Sequence, residues 1–542
     1  DVPKAEQILQ KYEKYKRSGT ETLLLDFDDM LTVCNQILEN EQALLQNYQK
    51  RYDYVLTDES QDTSLVQHVI IEKLVQRHNN LCVVADDDQS IYSWRGAEPA
   101  YLLNFKQVYP DARILFMEQN YRSSKNIVEV ANQFIQSNKN RYKKNMFTEN
   151  PHRDPIKVVR FSDFISQVKY IVEQVKDAEQ LSDVAVLYRN HSSSILLMNE
   201  FERAGIPFYL KDADHRFFSH WVVKDMLNFM RMAYTDKRSD IFEALYMKMN
   251  GYVTKQQMNA VKEKDPQQSV FTYLLTAVPL KTYQVKVIKE NEKWFQKMRK
   301  MTPLQALSVI RHRLGYEKAL ERMSKRLGFR KENLIRMLDT LAEISRDIDT
   351  LEAFAARLKQ LETAMQIAKR NNAAEAVTFS TLHSSKGLEF ERVYMLDLVE
   401  GTIPTTEEVK SHNERLMEEA RRLFYVGMTR AKRHLELISY QSNDVFESRF
   451  VKQVREIIEL RKQEQGRTKS HKRGRPTIIP YHPNAIRQKQ ALANGRVVKH
   501  RVFGKGTITH IEEDTLHVQF TKEVKILSID TCLELGLLEL ID

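Results

Sequence analysis

The chain has 542 residues, 42% hydrophobic and 29% charged, a length expected to form three or four domains. No apolar run is long enough to span a bilayer as a helix, and Asp1-Val2-Pro3-Lys4 does not read as a signal peptide. A net charge of +10 favours a polyanionic partner, and Cys34, Cys82 and Cys532 form no C-x-x-C pair, which argues against a zinc site or disulfide framework and fits a reducing cytoplasm.

Residues 1 to about 50 read as helices, with Leu9, Tyr12 and Tyr15 and then Leu31, Ile37 and Leu44 at helical spacing. From about 52 to 118, short β-rich runs alternate with helical ones. Tyr54-Val55-Leu56, Leu81-Cys82-Val83-Val84 and Ile114-Leu115-Phe116 are expected as buried parallel strands, with 63–77 as the crossover helix between the first two. A second α/β unit supplies strands at Ile156–Val159, Val184–Leu187, Ala376–Phe379 and Val393–Leu396. Between its halves, about 220–370 reads as helical. Leu334, Met337, Leu338 and Leu341 form one stripe and Leu351, Phe354, Ala355 and Leu358 another, the latter helix starting near Asp349. Residues 461–475 hold seven basic side chains, one acid and two glycines, a linker composition. Beyond about 495, alternating runs at 507–511, 516–520 and 524–526 predict a small barrel.

Asp58-Glu59-Ser60-Gln61-Asp62 follows the first strand. A carboxylate at a parallel strand's end can hold Mg²⁺ (Asp58), its neighbour can deprotonate a water (Glu59), and Gln61 can sense a terminal phosphate. An acidic turn capping the next helix explains the same residues equally well. The second strand leads into Asp86-Asp87-Asp88-Gln89, then Tyr92, Trp94 and Arg95. Gln89 would face the same phosphate, and the aromatic–basic cluster suits base stacking, though a lone Trp is more often a half-buried anchor. Arg122, in Gln119-Asn120-Tyr121-Arg122-Ser123, sits where an arginine finger could enter, with Tyr121 free to stack on adenine; a surface turn is the plainer account. Such a site normally needs a G-x-x-x-x-G-K-[ST] turn, and no such string occurs; Gly504-Lys505-Gly506-Thr507 has the wrong spacing.

Five blocks in order, D-E-x-Q-D (58–62), D-D-D-Q-S-I-Y-x-W-R-G-A (86–97), Q-N-Y-R-S (119–123), T-x-H-x-x-K-G-L-E-F (381–390) and V-G-x-T-R-A (426–431), resemble superfamily 1 DNA helicases of the UvrD/PcrA/Rep type. The resemblance runs from Asp26-Phe27-Asp28-Asp29 to the C-terminus. It implies an α/β fold: two RecA-like parallel-sheet domains, the first incomplete, an inserted all-helical subdomain and a small C-terminal Tudor-like β-barrel. The corresponding division is 1–118 and 119–218 for the two motor domains, 219–372 for the helical insert, 373–458 for the rest of the second motor domain, 459–494 for a basic linker and 495–542 for the barrel. The implied activity is that of an ATP-dependent 3′–5′ DNA helicase and single-strand translocase in repair or recombination, using ATP and Mg²⁺. Asp58 is implied as the magnesium carboxylate and Glu59 as the base, with Gln61, Gln89, Arg122 and Arg430 around the γ-phosphate, Tyr121 on adenine and Glu389 on the ribose. Tyr92, Trp94, Arg95, Tyr188, Arg189 and Phe446 are implied as DNA contacts, and His383 and Lys386 as links between the DNA and ATP sites. Implied partners are single-stranded DNA, single–double-strand junctions and, through 495–542, RNA polymerase, for a monomer or weak dimer.

Three departures stand out. The phosphate loop, expected before residue 1, points to a missing N-terminal segment, so the chain alone is expected to hydrolyse little ATP. Ala85 stands where glycine is frequent. Gly251-Tyr252-Val253 replaces a Gly-Ile-Gly turn for duplex DNA. A DNA- and polymerase-binding protein without useful ATPase is the alternative. A helicase-nuclease is disfavoured, since no D…E-x-K cluster follows residue 450.

Overall fold

The N-terminal periodicity folds as helices Ala5–Arg17, Phe27–Asn40 and Gln42–Arg51. Asp26 opens the second with a capping box to Asp29, and Lys16 ties both carboxylates to the first helix. The computed structural model describes residues 4–18, 24–176, 178–212, 216–327, 331–371, 373–442, 445–472, 484–521, 523–534 and 536–541. They fall into two compact units, Asp1–Glu459 and Leu460–Asp542. Among them no helix is long and apolar enough to cross a membrane.

In the first unit, β1 (Val55–Thr57) and β2 (Leu81–Val83) pair in parallel, joined by the expected crossover helix, Leu65–Val75, which Ser64 and Gln67 cap reciprocally. Pairing was read correctly; burial was not. Tyr54 and Leu56 are largely exposed. Ile114–Phe116 is not a strand: it joins no ladder among the described residues, and Leu115 and Phe116 lie open to solvent. An apolar run predicts burial only where a neighbouring strand or helix covers it.

The larger sheet has six parallel strands: β3 (Lys157–Phe161), β4 (Val184–Tyr188), β5 (Phe208–Leu210), β6 (Val377–Thr381), β7 (Phe390–Met395) and β8 (Ala431–Tyr440), ordered β3-β8-β7-β4-β6-β5. β4 and β6 are buried along their whole length, as central parallel strands require. The two-residue alternation of β4 divides two cores. Val184, Val186 and Tyr188 pack on one side; Ala185 and Leu187 pack on the other with Phe134, Leu423 and Phe424. Each fully buried Val, Leu or Phe among them contributes about 1.5–3 kcal/mol.

β5 and β6 are neighbours in the sheet, yet the chain between them is helical, as the 220–370 periodicity predicted. Both apolar stripes sit where expected, on Lys331–Ile344 and Leu351–Ala368. The second helix starts one residue later than Asp349 suggested. Thr350 is the N-cap, accepting the Ala353 N–H, because its hydroxyl reaches that donor.

Where linker composition was expected, the chain continues as a helix from Arg449 to Lys472. Its Lys, Arg, Gln and Glu are strong helix formers, which outweighs the charge. The rest of that stretch, from 473, lies outside the described residues. In the second unit β9 (Val497–His500), β10 (Gly504–Ile511), β11 (Thr515–Phe520), β12 (Val524–Ser528) and β13 (Leu538–Leu540) form an antiparallel sheet, ordered β12-β11-β10-β9-β13, around Ile508, Leu516 and Val518.

Candidate nucleotide cleft and nucleic-acid cavity

Asp58 and Glu59 leave the carboxyl end of β1. Glu59 adopts a left-handed conformation (φ 52°), which breaks the strand and turns the chain into Ser60–Asp62. The Ser60 N–H donates to the Val84 carbonyl, locking this turn to the end of β2. Buried Gln61 joins the two strand ends: its amide donates to Glu59 Oε2 at 2.5 Å and its oxygen accepts the Asp86 N–H at 2.9 Å. Gln89 donates to Asp86 at 2.7 Å, and Arg430 donates to Gln89 at 3.3 Å. Glu59, Gln61, Gln89 and Arg430 therefore belong to one polar chain.

Arg430 reaches this point from the far end of helix Glu414–Met428. Gly427 allows that helix its close approach to the sheet: a Cβ there would lie 2.6 Å from Leu382 Cδ2. The Arg430 guanidinium is 2% exposed, anchored by the Val426 and Leu388 carbonyls. Burial, then the charge of Arg122, pulls its pKa down to about 10. Arg122 donates to Glu389 at 2.7 Å, and Lys432 pairs with the same carboxylate at 2.9 Å. Lys432 and then Arg122 hold the Glu389 pKa at about 2. Tyr121 stands out at 76% exposure. Asp58 is exposed and bonded only to its own following N–H among the described contacts. A lone open carboxylate at a strand end fits a Mg²⁺ that takes its remaining ligands from water and phosphate.

A second acidic group, the Asp86-Asp87-Asp88 run at the end of β2, has partners that the sequence reading did not foresee. Asp86, Asp87 and Asp88 lie close enough for a metal, but the Lys144 ammonium already sits among them, at 2.5, 2.5 and 3.2 Å, and Arg141 forks onto Asp88. Burial opposes the Lys144 charge, and the carboxylates of Asp86, Asp88 and Asp87 outweigh it, raising its pKa. The cluster is a buried ion network joining the end of β2 to residues 141–144.

Beside the cleft lies a cavity of about 1010 Å³. Tyr92, Trp94, Arg95, Arg189 and His383 all line it, so five of the expected DNA contacts converge. Trp94 is 66% exposed, and the Arg95 guanidinium lies 4.6 Å from its ring centre and 5.0 Å from that of Tyr92. Burial, then the charges of Arg189 and Arg95, lowers the His383 pKa to about 4, leaving the ring neutral. Arg216, Arg336 and Glu419 also line the cavity and were missed. They come from helices far apart in sequence, and only the tertiary fold collects them. Arg336 additionally pairs with Asp397, just after β7, at 2.5 Å.

Three expected DNA contacts are placed elsewhere. Tyr188 is 0% exposed, because strand alternation turns it into the core shared with the helical block. Phe446 is exposed but lines a separate, open 600 Å³ depression with Arg160 and Gln441. Lys386 lies on the nucleotide side, 3.2 Å from Glu59, 2.5 Å from Asp62 and 3.0 Å from the Gln89 carbonyl, while its ammonium is 5.7 Å from the Tyr92 ring centre.

The cleft is formed by strand ends of a mixed α/β architecture, the usual place for ligands in parallel sheets. Two domain families match the chain. The UvrD/REP helicase N-terminal domain covers residues 1–110 and the UvrD-like helicase C-terminal domain covers residues 115–443. The chain belongs to the UvrD-like helicases. The first match begins at residue 1 of the chain. The chain is 34% identical over 448 residues to a putative ATP-dependent DNA helicase, YjcD, of Bacillus subtilis, covering 80% of this chain and 57% of that protein. It is 28% identical over 540 residues to the ATP-dependent DNA helicase PcrA of the same species, covering 92% and 72%. It is 28% identical over 474 residues to DNA helicase II of Rickettsia typhi, covering 83% and 71%. It thus spans little more than half the length of YjcD.

Proposed function

We propose that the protein is an ATP-driven DNA helicase that translocates 3′ to 5′ along single-stranded DNA in the cytoplasm, in repair or recombination. The observation that carries this reading is the continuous stretch from Gln89, at the cleft, to Arg95, in the cavity. A displacement at one site is felt at the other through this stretch. Residues 1–118 and the six-stranded unit act as two RecA-like halves, with 219–372 as an inserted subdomain. Glu59 takes the proton of the attacking water. Gln61 and Gln89 orient the terminal phosphate, and Arg122 and Arg430 stabilise its developing charge. Asp58 would hold Mg²⁺, which neutralises phosphate charge when bound. Tyr121 stacks on adenine and Glu389 meets the ribose. In the cavity, bases stack on Tyr92 and Trp94 while Arg95 and Arg189 meet phosphates.

Polarity rests on the motif resemblance alone. That resemblance also supports reading 495–542 as a Tudor-like barrel docking on RNA polymerase, through a surface bearing exposed Val502, Phe503 and Ile526. The second reading, a DNA- and polymerase-binding protein without useful ATPase, is favoured by one observation: Lys386 is ion-paired with the proposed base. Strand displacement by the full-length protein on 3′- and 5′-tailed duplexes separates the two. ATP-dependent unwinding of the 3′-tailed substrate is expected. DNA binding without turnover supports the second reading, and unwinding confined to the 5′-tailed substrate reverses the polarity.

A further inference from the structure

Glu419 lies on helix Glu414–Met428, about one and a half turns into the element that ends beside Arg430, and its carboxylate faces the cavity. One oxygen accepts the Ser93 N–H at 3.1 Å, and the other accepts the Ser93 hydroxyl. Ser93 opens the short turn Ser93–Arg95 that displays Trp94 and Arg95. The same helix grips this segment again through Arg422, which donates to the Ser90 carbonyl at 2.7 Å, and Arg430, two residues past the helix end, donates to Gln89. Ile91, between them, is fully buried in the core that contains Leu423 and Val426.

The stretch 89–93 is therefore held along one side of a single helix. From Glu419 to the helix end at Met428 the rise is roughly 14 Å, and Arg430 follows two residues on, which connects the cavity with the cleft. Of the three grips, only the one at Glu419 lies within the cavity. A carboxylate is an unfavourable lining for a channel that receives phosphates, since like charges repel. Asp212, Glu407 and Glu408 also line the cavity, and Glu419 is distinguished by its two bonds to Ser93 of the base-stacking turn.

Building on the functional reading above, we propose that Glu419 is a positioning residue that fastens the base-stacking turn to the helix that leads into Arg430, so that both respond together when nucleic acid enters. Glu419→Gln tests this. In Gln the amide oxygen still accepts the Ser93 N–H, but the amide nitrogen meets the Ser93 hydroxyl only by donating to it, so both bonds lose the charge that strengthens them and the grip on Ser93 is weakened. The substitution also removes a negative charge beside the phosphate path. Affinity for oligo(dT) is therefore expected to stay within twofold of wild type or to tighten, while transmission falls. Transmission is read by amide hydrogen exchange in the full-length protein. In wild type, oligo(dT) should slow exchange at both 90–96 and 414–428; in Glu419→Gln it should slow 90–96 alone.

Equal protection of 414–428 in variant and wild type overturns the proposal. So does a parallel loss of affinity, which marks Glu419 as a mere prop for the turn. Wild-type protein that binds oligo(dT) without protecting 414–428 refutes this inference and leaves the functional reading standing. Wild-type protein that does not bind oligo(dT) refutes both.

Discussion

Trp94→Ala isolates base stacking from folding. The indole is 66% exposed, so truncation should change stability by no more than about 0.5 kcal/mol. Stacking of one base on an aromatic side chain is worth about 1–3 kcal/mol, which converts to a roughly 5- to 150-fold loss of affinity for single-stranded DNA. Arg95 should remain in place, because it also lies 5.0 Å from the Tyr92 ring centre. Trp carries no charge, so the slope of log affinity against log salt should not change. Arg95→Ala should instead lower that slope by about 0.7, the value for one phosphate contact on a single strand. Fluorescence anisotropy with labelled oligo(dT), at several salt concentrations, measures both quantities. A change below twofold for Trp94→Ala, or a loss that grows with falling salt, would refute the stacking role.

Lys144→Met leaves three carboxylates without their central cation and should cost about 3–5 kcal/mol in urea unfolding, since Lys144 is only 11% exposed. A loss under about 1 kcal/mol would show that the network is not a structural link. The lowered pKa of His383 predicts acid sensitivity. The folded protein binds fewer protons than the unfolded chain between about 4 and 6.5, so this contribution is intact above 6.5 and is lost as pH falls towards 4. The slope is at most about 1.4 kcal/mol per pH unit. His383→Asn should flatten the stability profile in that window, and an unchanged profile would contradict the buried, neutral ring.

Apolar runs made the central strands legible: Val184–Leu187 and Ala376–Phe379 are buried on both faces, as their composition required. The same signal failed at Ile114–Phe116, which has no ladder partner among the described residues. β8 was missed because Lys432, Arg433, His434 and Glu436 interrupt its apolar pattern. Glu436 is buried through its contacts with Lys157, Tyr170 and His434, a compensation visible only in three dimensions. Glu59, Gln89 and Arg430, each read from a short block, lie along one polar chain in the structure. Tyr188 was misplaced by reading the block rather than the alternation of its strand, which turns it away from the cavity. Glu419 and Lys144 act through partners more than fifty residues away, and no local pattern announces such pairs.

The most direct test of the account is ATP turnover by the full-length protein, with and without oligo(dT), for wild type and Glu59→Gln. The account predicts that DNA raises wild-type turnover, and that the variant loses at least about 100-fold, the lower end for removal of a general base, while binding oligo(dT) normally. Undiminished turnover in Glu59→Gln would contradict the catalytic assignment, and wild-type turnover indifferent to DNA would contradict the coupling of cleft and cavity.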